Sequence, residues 1–303
     1  MFHPDRHGCA GAVAIGGRIA VAAACVVLAG CKAPSGPAHE QAFMSPAAPE
    51  VERPRPGVSP FVPLAGRSET VELGRSVQGR PIACQVFGHG PDTVLIMAGI
   101  HGSEPAGGPL VRELAGYLVR HPELLEGRRI ILLPEANPDG LAAGRRFNVR
   151  GVDLNRNFPA SNFAAVSRHG PRPLSEPESR LLDDLLEQYR PARIVTIHQP
   201  LNCIDWDGPA QRLAAAMAAD CDLPLRKLGA QPGSLGSYAG DMLGIPIVTV
   251  ELPGPASRLS PAELWVRYGR MLLAAVLFNG RETPPATPVR EARPARVPAA
   301  GAR

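Results

Sequence analysis

Val94-Leu95-Ile96-Met97-Ala98 runs straight into Gly99-Ile100-His101-Gly102-Ser103-Glu104, and this junction decides how the rest of the chain is read. An unbroken apolar run without polar alternation marks a strand covered on both faces. The abrupt change to glycine, histidine and glutamate puts polar groups just past the strand's carboxyl end. The change recurs. Arg129-Ile130-Ile131-Leu132-Leu133 precedes Asn137-Pro138-Asp139-Gly140, Ile194-Val195-Thr196-Ile197 runs into His198, and Ile247-Val248-Thr249-Val250 runs into Glu251. Helical patterns alternate with these runs, from about Pro105 to Val119, Glu176 to Tyr189, 209–219 and Pro261 to Phe278. In the second of them Leu181, Leu182, Leu185 and Leu186 share a face, Ser175 and Glu178 give a capping box, and Pro177 stands in the first turn. Strands alternating with helices predict an α/β fold, a mixed, largely parallel sheet with helices on both faces. Open sheets of this kind bind ligands at the carboxyl ends of their strands, so the four polar segments are expected to converge.

Outside this unit, taken as 67–280, the composition changes. Residues 1–31 read as an export signal: Arg6, His7 and Arg18 precede an apolar run from Ile19 to Leu28, too short to span a bilayer, which ends in Leu28-Ala29-Gly30-Cys31. That ending resembles a bacterial lipobox, in which Cys31 would carry the lipid. The chain is thus expected to be an exported lipoprotein on the periplasmic side of the envelope, with an outer-membrane address allowed by Lys32. Residues 32–66 hold eight prolines and few large apolar side chains, and so read as an extended tether. Residues 281–303 read as a disordered Pro/Arg-rich tail. The net charge of +4 lies at the two ends: five Arg against two Glu in 281–303, and Arg6 and Arg18 against Asp5 in 1–31. The remainder is neutral, which gives no support to nucleic-acid binding. Membrane contact is expected through the N-terminal lipid alone, and the sequence carries no signal of oligomeric state. Four cysteines remain from Cys31 on. If Cys31 is lipidated, at most one disulfide can form, with Cys203 and Cys221 as one pairing.

His101 and Glu104 form H-x-x-E, a weak signal alone, since a single buried histidine is more often a hydrogen-bonded core residue. Context strengthens it. Gly99 and Gly102 make a turn that lets both side chains face one cation, and His198 also ends a strand. Two imidazoles and a carboxylate form a three-ligand set that leaves one position open for water, as one catalytic Zn2+ ion requires. No G-x-S-x-G elbow, C-x-x-C pair or glycine-rich phosphate loop occurs, which disfavours serine-hydrolase, thiolate-zinc and nucleotide chemistry.

Further motifs follow in order: Arg146-Phe147-Asn148-Val149-Arg150, then Gly151-Val152-Asp153-Leu154-Asn155-Arg156-Asn157-Phe158-Pro159, Ser175-Glu176-Pro177-Glu178, His198-Gln199-Pro200-Leu201-Asn202-Cys203-Ile204, Pro232-Gly233-Ser234-Leu235-Gly236-Ser237-Tyr238 and Glu251-Leu252-Pro253. Together with His101-Gly102-Ser103-Glu104 and Asn137-Pro138-Asp139-Gly140 they resemble the zinc carboxypeptidase family over essentially the whole folded unit. Within it they are most similar to the branch that acts on murein peptides. The resemblance implies zinc on His101, Glu104 and His198, with Glu251 as the general base. It implies Arg146, five residues before Gly151, as stabiliser of the oxyanion, and Asn155 with Arg156 as holders of a substrate carboxylate. Asp153 is read as bracing the loop. Many members carry a tyrosine four residues before the glycine that matches Gly233; here that position is Gly229, and the nearest tyrosine is Tyr238.

The implied reaction is hydrolysis of the γ-D-glutamyl–meso-diaminopimelate bond of a murein-derived peptide. A general metallocarboxypeptidase or a succinylglutamate-type deacylase is the enzyme alternative. A non-catalytic murein-binding lipoprotein is the alternative of another class, disfavoured because a pure binder has no use for a general base at Glu251.

Overall fold

The computed structural model describes residues 68–280 together with the two-residue strand Arg290–Glu291. The expected signal segment with Cys31, the tether and most of the tail lie outside the described residues. In chain order the strands and α-helices are β1 (Ser68–Arg75), β2 (Pro81–Gly88), β3 (Asp92–Ala98), α1 (Gly107–Arg120), β4 (Arg128–Leu133), α2 (Pro138–Ala143), α3 (Pro177–Tyr189), β5 (Arg193–His198), β6 (Leu201–Asp207), α4 (Gln211–Ala218), β7 (Arg226–Lys227), β8 (Ile247–Pro253), α5 (Pro261–Leu277) and β9 (Arg290–Glu291). No helix among the described residues is long and apolar enough to cross a membrane.

The main sheet runs β1-β2-β4-β3-β5-β8-β6. Its centre is parallel, through β4/β3, β3/β5 and β5/β8, while β1/β2, β2/β4 and β8/β6 are antiparallel. The central strands are buried almost throughout, as their unbroken apolar runs require. Helices α1, α4 and α5 cover one face, where Leu110, Leu114 and Leu118 of α1 turn one stripe into the core. The other face packs against Leu182, Leu185 and Leu186 of α3 and against Leu235, Tyr238 and Ala239. The mixed α/β sheet with helices on both faces is therefore present, and its parallel part aims the carboxyl ends of β3, β5 and β8 the same way.

Three details differ from the sequence reading. Helix α3 begins without the expected capping box. Its N-cap is Glu176, and Glu178 is buried, accepting the Val77 amide and sharing the Asn148 side-chain amide with Glu176. The Ser175 hydroxyl turns to Glu176 instead. Second, β1, β2 and β6 were not anticipated as strands, nor was the π-helical turn Gly236–Met242. Third, the stretch read as an unstructured tail contributes β9, which pairs in parallel with β7. Cys84, Cys203 and Cys221 are free thiols, so the Cys203–Cys221 pairing is not formed.

Candidate active site

Local sequence places each ligand candidate. Strand β3 ends at Ala98, Gly99 takes φ +69°, and the chain turns through Ile100 to His101. A side chain at Gly102 would put its Cβ 1.9 Å from the Gly140 carbonyl carbon, so this turn is pressed directly onto the start of α2. Asn137 caps α2 by accepting the Gly140 amide and donates to the Ile100 carbonyl. Asp139 accepts the Ser76 hydroxyl and the Gln78 amide. Asn137-Pro138-Asp139-Gly140 therefore supports the His101 loop and stays out of the cavity, unlike the other three strand-end segments.

His198 is the last residue of β5 and pairs in register with Glu251 on β8. Its Nδ1 lies 2.9 Å from Glu104 Oε2 and 3.1 Å from His101 Nδ1, and His101 Nδ1 lies 2.9 Å from Glu104 Oε1. All three side chains are buried, and among the described residues they form the one group of at least three His, Cys, Asp or Glu able to share a metal ion. The spacing suits zinc: ligand atoms about 2.0–2.1 Å from a tetrahedral ion stand roughly 3.3 Å apart. Two imidazole nitrogens facing each other beside a carboxylate are explained by a shared cation better than by hydrogen bonding alone.

Asp153 does more than brace its loop. Its Oδ1 accepts the Asn155 amide, starting the turn Leu154–Arg156, and also lies 3.1 Å from His101 Nε2. A proton held there leaves His101 Nδ1 with its lone pair directed at the ion, the usual carboxylate–histidine–metal relay. Burial opposes the charge of Asp153, but the His101 contact and the guanidinium groups of Arg146 and Arg156 hold its carboxyl well below the usual range. Burial likewise opposes ionisation of Glu104, but the two imidazoles bring it down to about 2, so it stands as an anionic ligand. Glu251 behaves oppositely. Burial pushes its carboxyl up, against the pull of His198 and the Leu201 amide, which raises its affinity for a proton.

These residues line a cavity of about 360 Å³ that also contains Arg146, Asn155 and Arg156. Arg146 binds Asp153 Oδ2 through Nε at 3.0 Å and Glu104 Oε1 through Nη1 at 3.2 Å, whereas Arg145 is exposed. Asn155 Oδ1 accepts the Leu235 amide, which leaves its side-chain N–H groups to meet a ligand. Arg156 is half-buried, with burial drawing its pKa down and Asp153 opposing that. The structure thus brings His101, Glu104, His198, Glu251, Arg146, Asn155 and Arg156 to one place. Tyr238 does not join them; it packs in the core, stacked on Phe158 with ring centroids 6.1 Å apart. Gly229 lines the cavity with no side chain to offer. Cys203 is fully buried and its thiol is pushed up to about 12, so it is no nucleophile.

Residues 65–204 match the family described as zinc carboxypeptidase. The chain is also 35% identical over 229 residues to murein peptide amidase A of Escherichia coli K12, covering 67% of this chain and 87% of that protein. The chain belongs to the zinc carboxypeptidase family. The family uses zinc, and the three buried donors fit that ion, so the protein is a zinc metallopeptidase or amidase. Murein peptide amidase A of Vibrio campbellii is 31% identical, covering 59% of this chain and 77% of its own length. Among solved structures, murein-tripeptide amidase of Escherichia coli O157 aligns with a TM-score of 0.53 and 29% identity, over 70% of this chain and 93% of the other. Carboxypeptidase A of Helicoverpa armigera aligns with a TM-score of 0.58 and 22% identity over 71% of this chain and 70% of its own, a likeness of fold.

The sequence reading missed part of the cavity wall: Asp205 and Asp207 of β6, with Thr249 of β8 and Ser234. A signal was present. Cys203-Ile204-Asp205-Trp206-Asp207 alternates acidic with large apolar residues, the pattern of a strand with one face in a polar recess.

Proposed function

We propose that the protein hydrolyses the γ-D-glutamyl–meso-diaminopimelate bond of murein-derived peptides. The observation that carries this reading is the unligated carboxylate of Glu251 facing the His101–Glu104–His198 cluster in a cavity that also holds Arg156 and Asn155. The likeness to murein peptide amidases of two genera supports the choice of substrate. When bound, zinc supplies a Lewis acid that polarises a carbonyl and lowers the pKa of water. Glu251, its proton affinity raised by burial, takes the proton of the attacking water and delivers it to the departing amine. The N–H donors of Arg146 not engaged by Asp153 and Glu104 face the charge that develops on the carbonyl oxygen. Arg156 and Asn155 hold a free carboxylate of the residue being released, the guanidinium as a two-pronged donor.

The test is incubation of the purified, zinc-loaded protein with L-alanyl-γ-D-glutamyl-meso-diaminopimelate and, in parallel, with ordinary peptides ending in L-amino acids. Release of free diaminopimelate, identified by mass spectrometry, is the expected result. Turnover of the ordinary peptides without turnover of the murein peptide would replace this reading by a general carboxypeptidase. We also propose that the chain is exported and lipid-anchored through Cys31, on the strength of the lipobox-like Leu28-Ala29-Gly30-Cys31. Palmitate labelling lost in Cys31→Ser is the expected outcome; labelling unchanged by that substitution contradicts it.

A further inference from the structure

Edge strand β6 pairs antiparallel with β8, placing Cys203 opposite Glu251, Asp205 opposite Thr249 and Asp207 opposite Ile247. Residues directly opposite in such a pair project to the same face, as do alternate residues of one strand. Asp205 and Thr249 therefore form the row of the sheet next to the row of His198 and Glu251, two residues or about 7 Å along. Both rows line the same cavity.

The two aspartates of β6 differ in one respect. Asp207 Oδ1 is paired with Lys227 Nζ at 2.7 Å. Asp205 is only 6% exposed, and its Oδ1 accepts the Leu228 amide at 2.9 Å, but among the described residues no cationic side chain forms an ion pair with it. A buried carboxylate without a counter-ion is a cost, and burial, with Asp207 beside it, pushes the Asp205 carboxyl up to about 6. The cavity is the side from which a cation can reach it.

We propose that Asp205 binds a side-chain ammonium of the residue released as the leaving amine, so that the cavity selects residues carrying both a free carboxylate and a second amine. This rests on the reading above, in which the released residue occupies this cavity with its carboxylate on Arg156 and Asn155. The dimensions agree: four carbon–carbon bonds of about 1.5 Å in extended form reach roughly 5–6 Å, close to the separation of the two rows. Diaminopimelate and lysine carry an ammonium at that reach, and an apolar side chain of the same length does not.

Two substrate pairs test the subsite. In the first, L-alanyl-γ-D-glutamyl-meso-diaminopimelate is compared with the same peptide ending in 2-aminopimelate, which lacks only the distal amine. In the second, a peptide ending in lysine is compared with one ending in norleucine. The wild-type protein is expected to show kcat/KM about tenfold or more higher on the ammonium-bearing member of a pair, the scale of a charge-assisted hydrogen bond. In Asp205→Asn that ratio is expected to fall toward one, and in Asp205→Glu to stay well above one. A structural role for Asp205 would lower both members together and leave the ratio unmoved, which overturns the proposal. So does a wild-type ratio near one in both pairs, a result that needs no variant to fold. Cleavage of the lysine pair with the expected preference, but of neither murein peptide, removes the murein reading and leaves the subsite standing. Cleavage of no peptide removes both.

Discussion

The centre of the sheet and its β6 edge do different work. At the centre, parallel strands end in His198 and Glu251, and the turn after β3 brings His101 and Glu104 to them, each ligand held by a second partner. At the edge, the antiparallel strand β6 alternates side chains between core and cavity and leaves Asp205 without an ion pair. The difference shows how one fold separates reactivity from choice. Groups that must keep fixed geometry stand on strands covered on both faces, whereas a group that reads the substrate stands where a single substitution alters one wall. Changes at the centre should therefore abolish turnover, and changes at the edge should redistribute it.

The comparison breaks most visibly at His198. His198→Ala removes one of three donors, and the expected result is loss of both bound zinc, by metal analysis, and peptide hydrolysis to background. Retained zinc with full turnover would mean that the three buried donors are not the metal site. A smaller effect is expected one contact further out. Asp153→Asn keeps the shape but weakens the hold on the His101 Nε2 proton, so zinc affinity measured by chelator competition should fall about 10- to 100-fold with the fold intact. An unchanged affinity would return Asp153 to a role in its own loop.

The edge gives the smallest effect, and it lies in stability. The folded-state pKa of Asp205 is raised from 3.8 to about 6 by burial and by Asp207, so the folded chain holds a proton that the unfolded chain has released between about pH 4 and pH 6. Stability therefore falls as pH rises through that window, by on the order of 2–3 kcal/mol for this group. Asp205→Asn should flatten that part of the stability profile in urea melts; a slope unchanged by the substitution would show the carboxylate to be compensated in a way its surroundings do not reveal.

The same division governs what could be read from the chain. The runs Val94–Ala98, Ile194–Ile197 and Ile247–Val250 were legible because strands buried on both faces leave no alternation, and the polar residue that ends each one stands out. With the family motifs, that was enough to gather the ligands, the base and the carboxylate-binding pair. The edges were less legible. In β1, Val71 and Leu73 are only partly buried and stand among charged residues, so no strong period marks the strand. Ser175 and Glu178 satisfy the pattern of a capping box, but tertiary contacts with Val77 and Asn148 draw Glu178 into the core. Asp139 looked like one more strand-end polar group, and only the fold shows it turned toward Ser76 and Gln78. Asp205 needed the register of β6 against β8 before its place one row from Glu251 could be seen.

The most direct test of the account is zinc content and turnover measured together on Glu251→Gln. Glu251 lines the cavity without belonging to the donor cluster, so the account predicts one zinc per chain, as in the wild type, with kcat lower by roughly a hundred- to ten-thousand-fold. Turnover at the wild-type rate, or loss of the metal with the substitution, would contradict it.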